Sequence, residues 1–263
     1  MKIYLVILCL LRVCYNLSIQ NLLRMSIEAY KEDSNSNYDL IYSFGHNKDG
    51  LRAKVFKIKR TIVIAVKGTT LYFHGISQGP TGHKDREMDN LMFGICPEEN
   101  EACLYKKKLK IDKAKYLRNL EILVRTVSGV FRDYEILLTG HSLGGALSSL
   151  MSLRLSFSAI AFSSPGEKYV ASVLGFNQKN QLKITHFGIC EDSLYLGGCK
   201  SLCNLMGYTI DTSCHLGRSL CVGLGDGRNF RDSFRYHRAK TLLDILLKRT
   251  GHFYEIYCDR DII

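Results

Sequence analysis

Proline is scarce. Pro80, Pro97 and Pro165 are the only three in 263 residues, and the 22 glycines follow no fixed period. A Pro-rich linker, a collagen-like repeat and a low-complexity chain are thereby excluded. A long apolar run is missing from the N-terminus as well. Residues 3–11 are a run of nine stopped by Arg12, whereas a bilayer-spanning helix needs about 20. Behind the basic start Met1-Lys2, that run has the length of the apolar stretch of a secretory leader, so residues 1–19 are expected to be a signal peptide or signal-anchor. Acidic residues are outnumbered: 36 Lys+Arg against 25 Asp+Glu leave a net charge of +11. A surface of that sign draws anions, and on a secretory route nucleic acid gives way to acidic lipid headgroups as the expected partner.

What is present is ordinary for a globular protein: 46% hydrophobic and 23% charged residues. Ten cysteines occur, Cys9 and Cys14 within the expected leader. The other eight are Cys96, Cys103, Cys190, Cys199, Cys203, Cys214, Cys221 and Cys258. An even set in an oxidising compartment reads as disulfides. Zinc is the competing reading, since Cys199 and Cys203 have a tolerable ligand spacing. No second close cysteine pair completes a zinc signature, so no metal is expected.

Strands are expected at residues 55–59, 61–67, 134–139, 159–162, 182–187 and 253–257, and helices at 22–30, 114–131, 143–155 and 241–247. Residues 114–131 carry Tyr116, Leu120, Leu123, Val124, Val127, Val130 and Phe131 at helical spacing, the stripe of a core-facing amphipathic helix. Residues 71–87, with Gly75, Gly79, Pro80 and Gly82, read as a long mobile loop. Strands alternating with helices imply a mostly parallel sheet with helices on both faces, and no shift in composition divides residues 20–263 into two domains.

Between the strand ending at Thr139 and the next helix lies Gly140-His141-Ser142-Leu143-Gly144-Gly145. G-x-S-x-G alone is a weak signal. Placed on a strand–turn–helix, it is the arrangement a nucleophilic serine needs. Side chains at 140 and 144 would collide with neighbouring elements, and the helix N-terminus aims N–H groups at a developing anion. Such a serine requires a base, and the base an orienting carboxylate, in the chain order Ser, acid, His. His186 lies inside a strand and His215 inside the cysteine cluster, which leaves His237, in a polar loop before the last helix, ahead of His252. Asp192 follows a strand end, where such an acid belongs; Asp211, Asp226 and Asp232 stay open as alternatives.

Val66-Lys67-Gly68-Thr69-Thr70, the run GHSLGGALSSL over residues 140–150, and Ser164-Pro165-Gly166-Glu167 resemble the class 3 (fungal-type) lipases. His186-Phe187-Gly188, Glu191-Asp192, Gly197-Gly198-Cys199, Gly207-Tyr208 and Cys214-His215-Leu216-Gly217 narrow the resemblance to the autophagy-related vacuolar phospholipases of fungi. Asp89-Asn90-Leu91-Met92-Phe93 and Tyr236-His237-Arg238 agree with it. The resemblance implies an α/β-hydrolase fold and a carboxylic ester hydrolase without cofactor. It also implies Ser142 as nucleophile, Asp192 as acid, His237 as base, and the backbone N–H groups of Thr69 and Leu143 as oxyanion hole. The implied substrates are phospholipids and other acyl esters, and the implied location is a vacuole-like lytic compartment or the outside of the cell. Position 190 is a cysteine, a departure from the family pattern.

Lys106, Lys107, Lys108, Lys110, Lys113 and Lys115 could face anionic lipid or only solvent. Leu71, Tyr72, Phe73 and Ile76 among glycines have the composition of an apolar lid over residues 71–82. A triacylglycerol lipase or general secreted esterase is the nearest alternative activity. A silent, disulfide-stapled lipid-binding protein is the alternative of another class.

Overall fold

The computed structural model describes residues 17–32, 35–45, 49–70, 72–73, 76–77, 80–97, 100–199, 201–224 and 233–258. Most of the expected leader, Asp226, Asp232 and the side chains of the expected lid up to residue 79 lie outside these. Among the described residues one eight-stranded sheet forms the centre. It runs β1 (Asp39–Phe44), β2 (Ala53–Ile58), β3 (Thr61–Val66), β6 (Glu135–His141), β7 (Ser158–Phe162), β8 (Ile184–Ile189), β9 (Arg218–Gly223) and β10 (His252–Ile256). β4 (Tyr72–Phe73) and β5 (Ile76–Ser77) make a separate small hairpin. From β3 to β9 each neighbouring pair is parallel, and β1, β2 and β10 are antiparallel at the two edges.

The burial of β3 explains its sequence. Thr-Ile-Val-Ile-Ala-Val is buried at every position, because both faces of a central parallel strand are covered. Ile62, Ile64 and Val66 enter one core, Val63 and Ala65 the other, as the two-residue period of a strand requires. Helices α4 (Tyr116–Val130) and α5 (Leu143–Leu155) cover the first face with Leu120, Val124, Leu147 and Leu150. Helices α1 (Ile19–Glu28) and α9 (Ala239–Lys248) cover the second with Leu22, Leu23, Leu242 and Ile245. This is an α/β-hydrolase sheet with helices on both faces.

Several elements differ from the sequence reading. Helix α2 (Gly82–Phe93) occupies part of the expected loop 71–87. Its buried face mixes Asp85 and Asp89 with Met88, Met92 and Phe93, so no apolar stripe announced it. The lysine run is itself a helix, α3 (Glu101–Ala114). Lys107 is buried there, donating to the Gly94 carbonyl at 2.6 Å and lying over the Tyr169 ring. Lys106, Lys108, Lys110 and Lys113 are exposed. A 3₁₀ turn at Gln178–Lys183 delays β8 to residue 184, and Leu182 before it is 91% exposed. At the N-terminus Leu17 and Ile19 pack into the second core, and Ser18 caps α1 by accepting the Asn21 N–H. The expected leader end at residue 19 therefore falls inside a packed helix start.

All eight cysteines outside the expected leader are paired: Cys96–Cys103, Cys190–Cys221, Cys199–Cys203 and Cys214–Cys258. The second ties the chain just past β8 to β9, two residues before Asp192.

Candidate active site

β6 ends at His141 and α5 begins at Leu143, leaving Ser142 alone in the turn with φ 55° and ψ −129°. A non-glycine residue in that region costs on the order of 1–3 kcal/mol and persists only where its surroundings impose it. Here they do. A Cβ at Gly144 would approach the Val66 carbonyl oxygen to 2.2 Å, and one at Gly140 the Gly144 carbonyl carbon to 2.4 Å. Backbone meets backbone at both positions.

His237 is the last residue of a short helix, α8 (Ser233–His237). Its Nε2 lies 2.8 Å from Ser142 Oγ, and its Nδ1 lies 3.0 Å from Asp192 Oδ2 and 3.2 Å from Oδ1. The carboxylate can only accept when ionised, so Nδ1 carries the hydrogen and Nε2 accepts from the serine hydroxyl. Asp192 is wholly buried, and its Oδ1 also accepts the N–H groups of Leu194 and Tyr195 at 3.0 and 3.3 Å. The alternatives lie elsewhere. His252 is exposed at the start of β10, and Asp211 accepts the Ile95 N–H.

The turn after β3 reaches the same place. Lys67 is buried and its Nζ donates to the Gly68 carbonyl, Thr81 Oγ1 and Asp85 Oδ2 at 2.8–2.9 Å. Tyr116 donates to Asp85 Oδ1 at 2.7 Å and the Thr70 N–H to Asp85 Oδ2 at 2.9 Å. Burial, outweighing Asp85, lowers the Lys67 pKa. A pair so desolvated adds little net stability, while breaking it costs about 3–5 kcal/mol. Its effect is to fix the Lys67-Gly68-Thr69 turn on α2. Thr69 Oγ1 donates to Asp89 Oδ2 at 2.6 Å. Burial, outweighing the Thr69 hydrogen bond, raises the Asp89 pKa well above its ordinary value. Leu143 opens α5 immediately after Ser142.

Two residues that sequence reasoning gave no role connect these parts. The His237 backbone carbonyl, an acceptor, lies 2.7 Å from His141 Nε2, so that nitrogen carries the hydrogen. His141 Nδ1 then accepts the Tyr30 hydroxyl at 2.9 Å. Burial first and the His237 imidazole second push the His141 pKa down to about 3. The imidazole beside His237 is thus held neutral. Gly68 packs against the same pair: a Cβ there would meet the Tyr30 hydroxyl and the His141 carbonyl at 2.2 Å.

Ser142, His237, Thr69 and Asp89 border a cavity of about 320 Å³ whose other walls include Leu194, Tyr208, Ile210 and Phe234. Such a mixture of an apolar wall and a few convergent polar groups suits a small organic chain.

Residues 103–169 match the family model described as Lipase (class 3). The chain is a relative of the class 3 lipases. It is 32% identical over 237 residues to a Candida albicans protein named "Putative lipase ATG15", covering 78% of this chain and 39% of that one. A protein of the same name from Scheffersomyces stipitis is 32% identical over 247 residues, 82% of this chain and 39% of that one. The chain therefore spans about two fifths of the length of these relatives. A solved triacylglycerol lipase from Penicillium expansum superimposes with a TM-score of 0.46 at 14% identity, covering 82% of this chain and 85% of that one. The family match reaches from α3 through the Ser142 turn to α6 (Lys168–Val173); Asp192 and His237 lie beyond it.

Proposed function

We propose that this class 3 lipase relative is a serine hydrolase that cleaves the acyl ester bonds of lipids, phospholipids among them. The observation that carries the reading is the unbroken line Ser142–His237–Asp192, at 2.8 and 3.0 Å, on a strained turn beside an apolar cavity. Ser142 Oγ attacks the ester carbonyl while His237 Nε2 takes its proton, and Asp192 steadies the resulting imidazolium. The backbone N–H groups of Thr69 and Leu143 receive the oxyanion. His237 returns the proton to the departing alcohol, and water then releases the fatty acid by the same steps in reverse.

A leader that ends before Leu17, where the packed helix start begins, followed by the catalytic domain on a route to a vacuole-like compartment or the exterior, completes the proposal. The four disulfides support that route. The exposed lysines of α3 are proposed to touch anionic membrane. Each lysine near such a surface contributes about 1 kcal/mol, and the attraction fades as salt shortens the Debye length below ~10 Å.

A fluorophosphonate probe on the purified protein is expected to label Ser142. Turnover is expected on phosphatidylserine vesicles and on a soluble short-chain ester, only the former falling as salt rises. Absence of labelling together with absence of turnover on phospholipid, triacylglycerol and short-chain ester would favour the silent lipid-binding alternative.

A further inference from the structure

A second carboxylate–imidazole cluster lies outside the cavity wall. Glu167 and His186 are wholly buried, and the His215 side chain is 2% exposed. Glu167 Oε1 accepts the Leu216 N–H at 3.2 Å and lies 3.0 Å from His186 Nε2. Glu167 Oε2 faces His215 Nδ1 at 3.6 Å, and neither atom has a hydrogen-bond partner.

The tautomer of His215 is dictated from its other side. Its Nε2 lies 3.0 Å from the Tyr195 carbonyl, which can only accept, so Nε2 carries the hydrogen and a neutral ring leaves a lone pair on Nδ1. That lone pair points at a carboxylate oxygen. A buried carboxylate oxygen and an imidazole nitrogen thus face each other at 3.6 Å with no hydrogen bond joining them.

We propose that Glu167, His186 and His215 ligate one divalent transition-metal ion, zinc by preference. Two imidazoles and a carboxylate are a zinc donor set. Zinc–nitrogen and zinc–oxygen bonds of about 2.0–2.2 Å let two ligand atoms 3.6 Å apart subtend roughly 120° at the ion. All three donor atoms lie within 4.8 Å of one another; tetrahedral zinc sets its ligand atoms about 3.4 Å apart, so the longest separation closes by up to about 1.4 Å on binding. Ligating histidines anchor their second nitrogen on an outer partner, and both do so here. His215 Nε2 is held by the Tyr195 carbonyl, and His186 Nδ1 lies 3.0 Å from Ser164 Oγ, an acceptor once Nε2 turns to the metal. The cysteines are no rivals for the ion, being paired among themselves. The ion would join the start of α6, strand β8 and the segment beside Cys214, and through Tyr195 it would brace the turn that carries Asp192. It plays no part in ester chemistry, and the proposal stands or falls independently of that activity.

The test uses the full chain, secreted and purified, then dialysed against metal-free buffer. Mass-spectrometric metal analysis is expected to find about one zinc per chain. A strong chelator should lower the Tm, and added zinc should restore it. Folded Glu167→Gln and His215→Gln variants should lose the ion and the Tm response. Replacement by cobalt in the parent should give tetrahedral visible bands and shift the ring N–H protons of two histidines in NMR spectra, a readout that needs no variant. A parent that holds no zinc when zinc is supplied, with a chelator-insensitive Tm, overturns the proposal. So does zinc retained undiminished in both folded variants, or cobalt that shifts no histidine ring proton.

Discussion

The two carboxylate–imidazole clusters are built from the same chemistry and differ in what surrounds them. Asp192 and His237 form a line ending on a serine at a cavity, and His237 keeps 13% of its side chain exposed. Glu167, His186 and His215 close on one another with at most 2% exposure. In the first, every polar atom is partnered and the neighbouring imidazole, His141, is held neutral, so one proton has a defined route between serine and base. In the second, two lone-pair atoms oppose each other with no proton assigned and no opening for a substrate. Accessibility and proton bookkeeping, rather than residue type, separate a reactive site from a structural one.

The comparison breaks most sharply at the nucleophile. Ser142→Ala is expected to reduce hydrolysis of a soluble ester by about 10⁶-fold, while calorimetry shows no loss of Tm, since alanine carries no hydroxyl to leave unpaired. Turnover within about tenfold of the parent would remove Ser142 from the role.

The acids should separate the two clusters. Asp192→Asn is expected to cost about 10⁴-fold in kcat by reversing the His237 tautomer, with little change in Tm. Glu167→Gln should do the opposite, lowering Tm and sparing the kcat of the molecules that remain folded. Equal effects of the two variants on both measurements would erase the distinction.

His141 offers a finer test. His141→Ala frees the His237 carbonyl and should lower kcat by up to about 100-fold, the cost of a displacement near 1 Å. Tyr30→Phe, which keeps the ring and removes only the bond to His141 Nδ1, should cost less. If kcat of His141→Ala equals that of the parent, the base is positioned without it.

The smallest effect concerns pH and Asp89. Its folded pKa lies above the unfolded value, so the unfolded chain releases this proton first as pH rises. Stability is therefore lost with rising pH through the interval between those two values. Asp89→Asn removes that term while leaving Asp85 and Lys67 in place. Its Tm relative to the parent should increase from pH 4 to pH 7; a constant difference would place an ionised carboxylate at Asp89.

What was legible in the sequence follows from range. The Ser142 turn was readable because strand, glycines and helix are contiguous, and β3 because a strand buried on both faces is apolar throughout. Chain order and position favoured Asp192 and His237 without excluding their rivals, since no spacing rule connects residues 45 positions apart; the resemblance narrowed the choice. Tyr30 was invisible: its partner lies 111 residues away. His141 sat within the quoted motif, yet its contact is with a backbone carbonyl, which leaves no mark on the sequence. Helix α2 carries no apolar stripe because it turns Asp85 and Asp89 inward. The cysteine count implied pairing, but two of the four bridges span 31 and 44 residues, beyond any local rule.

The wide sequence separation of the Ser142–His237 contact sets a clock on synthesis. The 95 residues between them take roughly 5–20 s to emerge from a ribosome. Helix α1, made first, waits longer still, because Gln20 is 226 residues from its partner carbonyl at Leu246. Throughout that interval the growing chain has a nucleophile without a base. A lipid hydrolase threaded through a membrane as it is made would thus stay inert toward that membrane until residue 237 had followed.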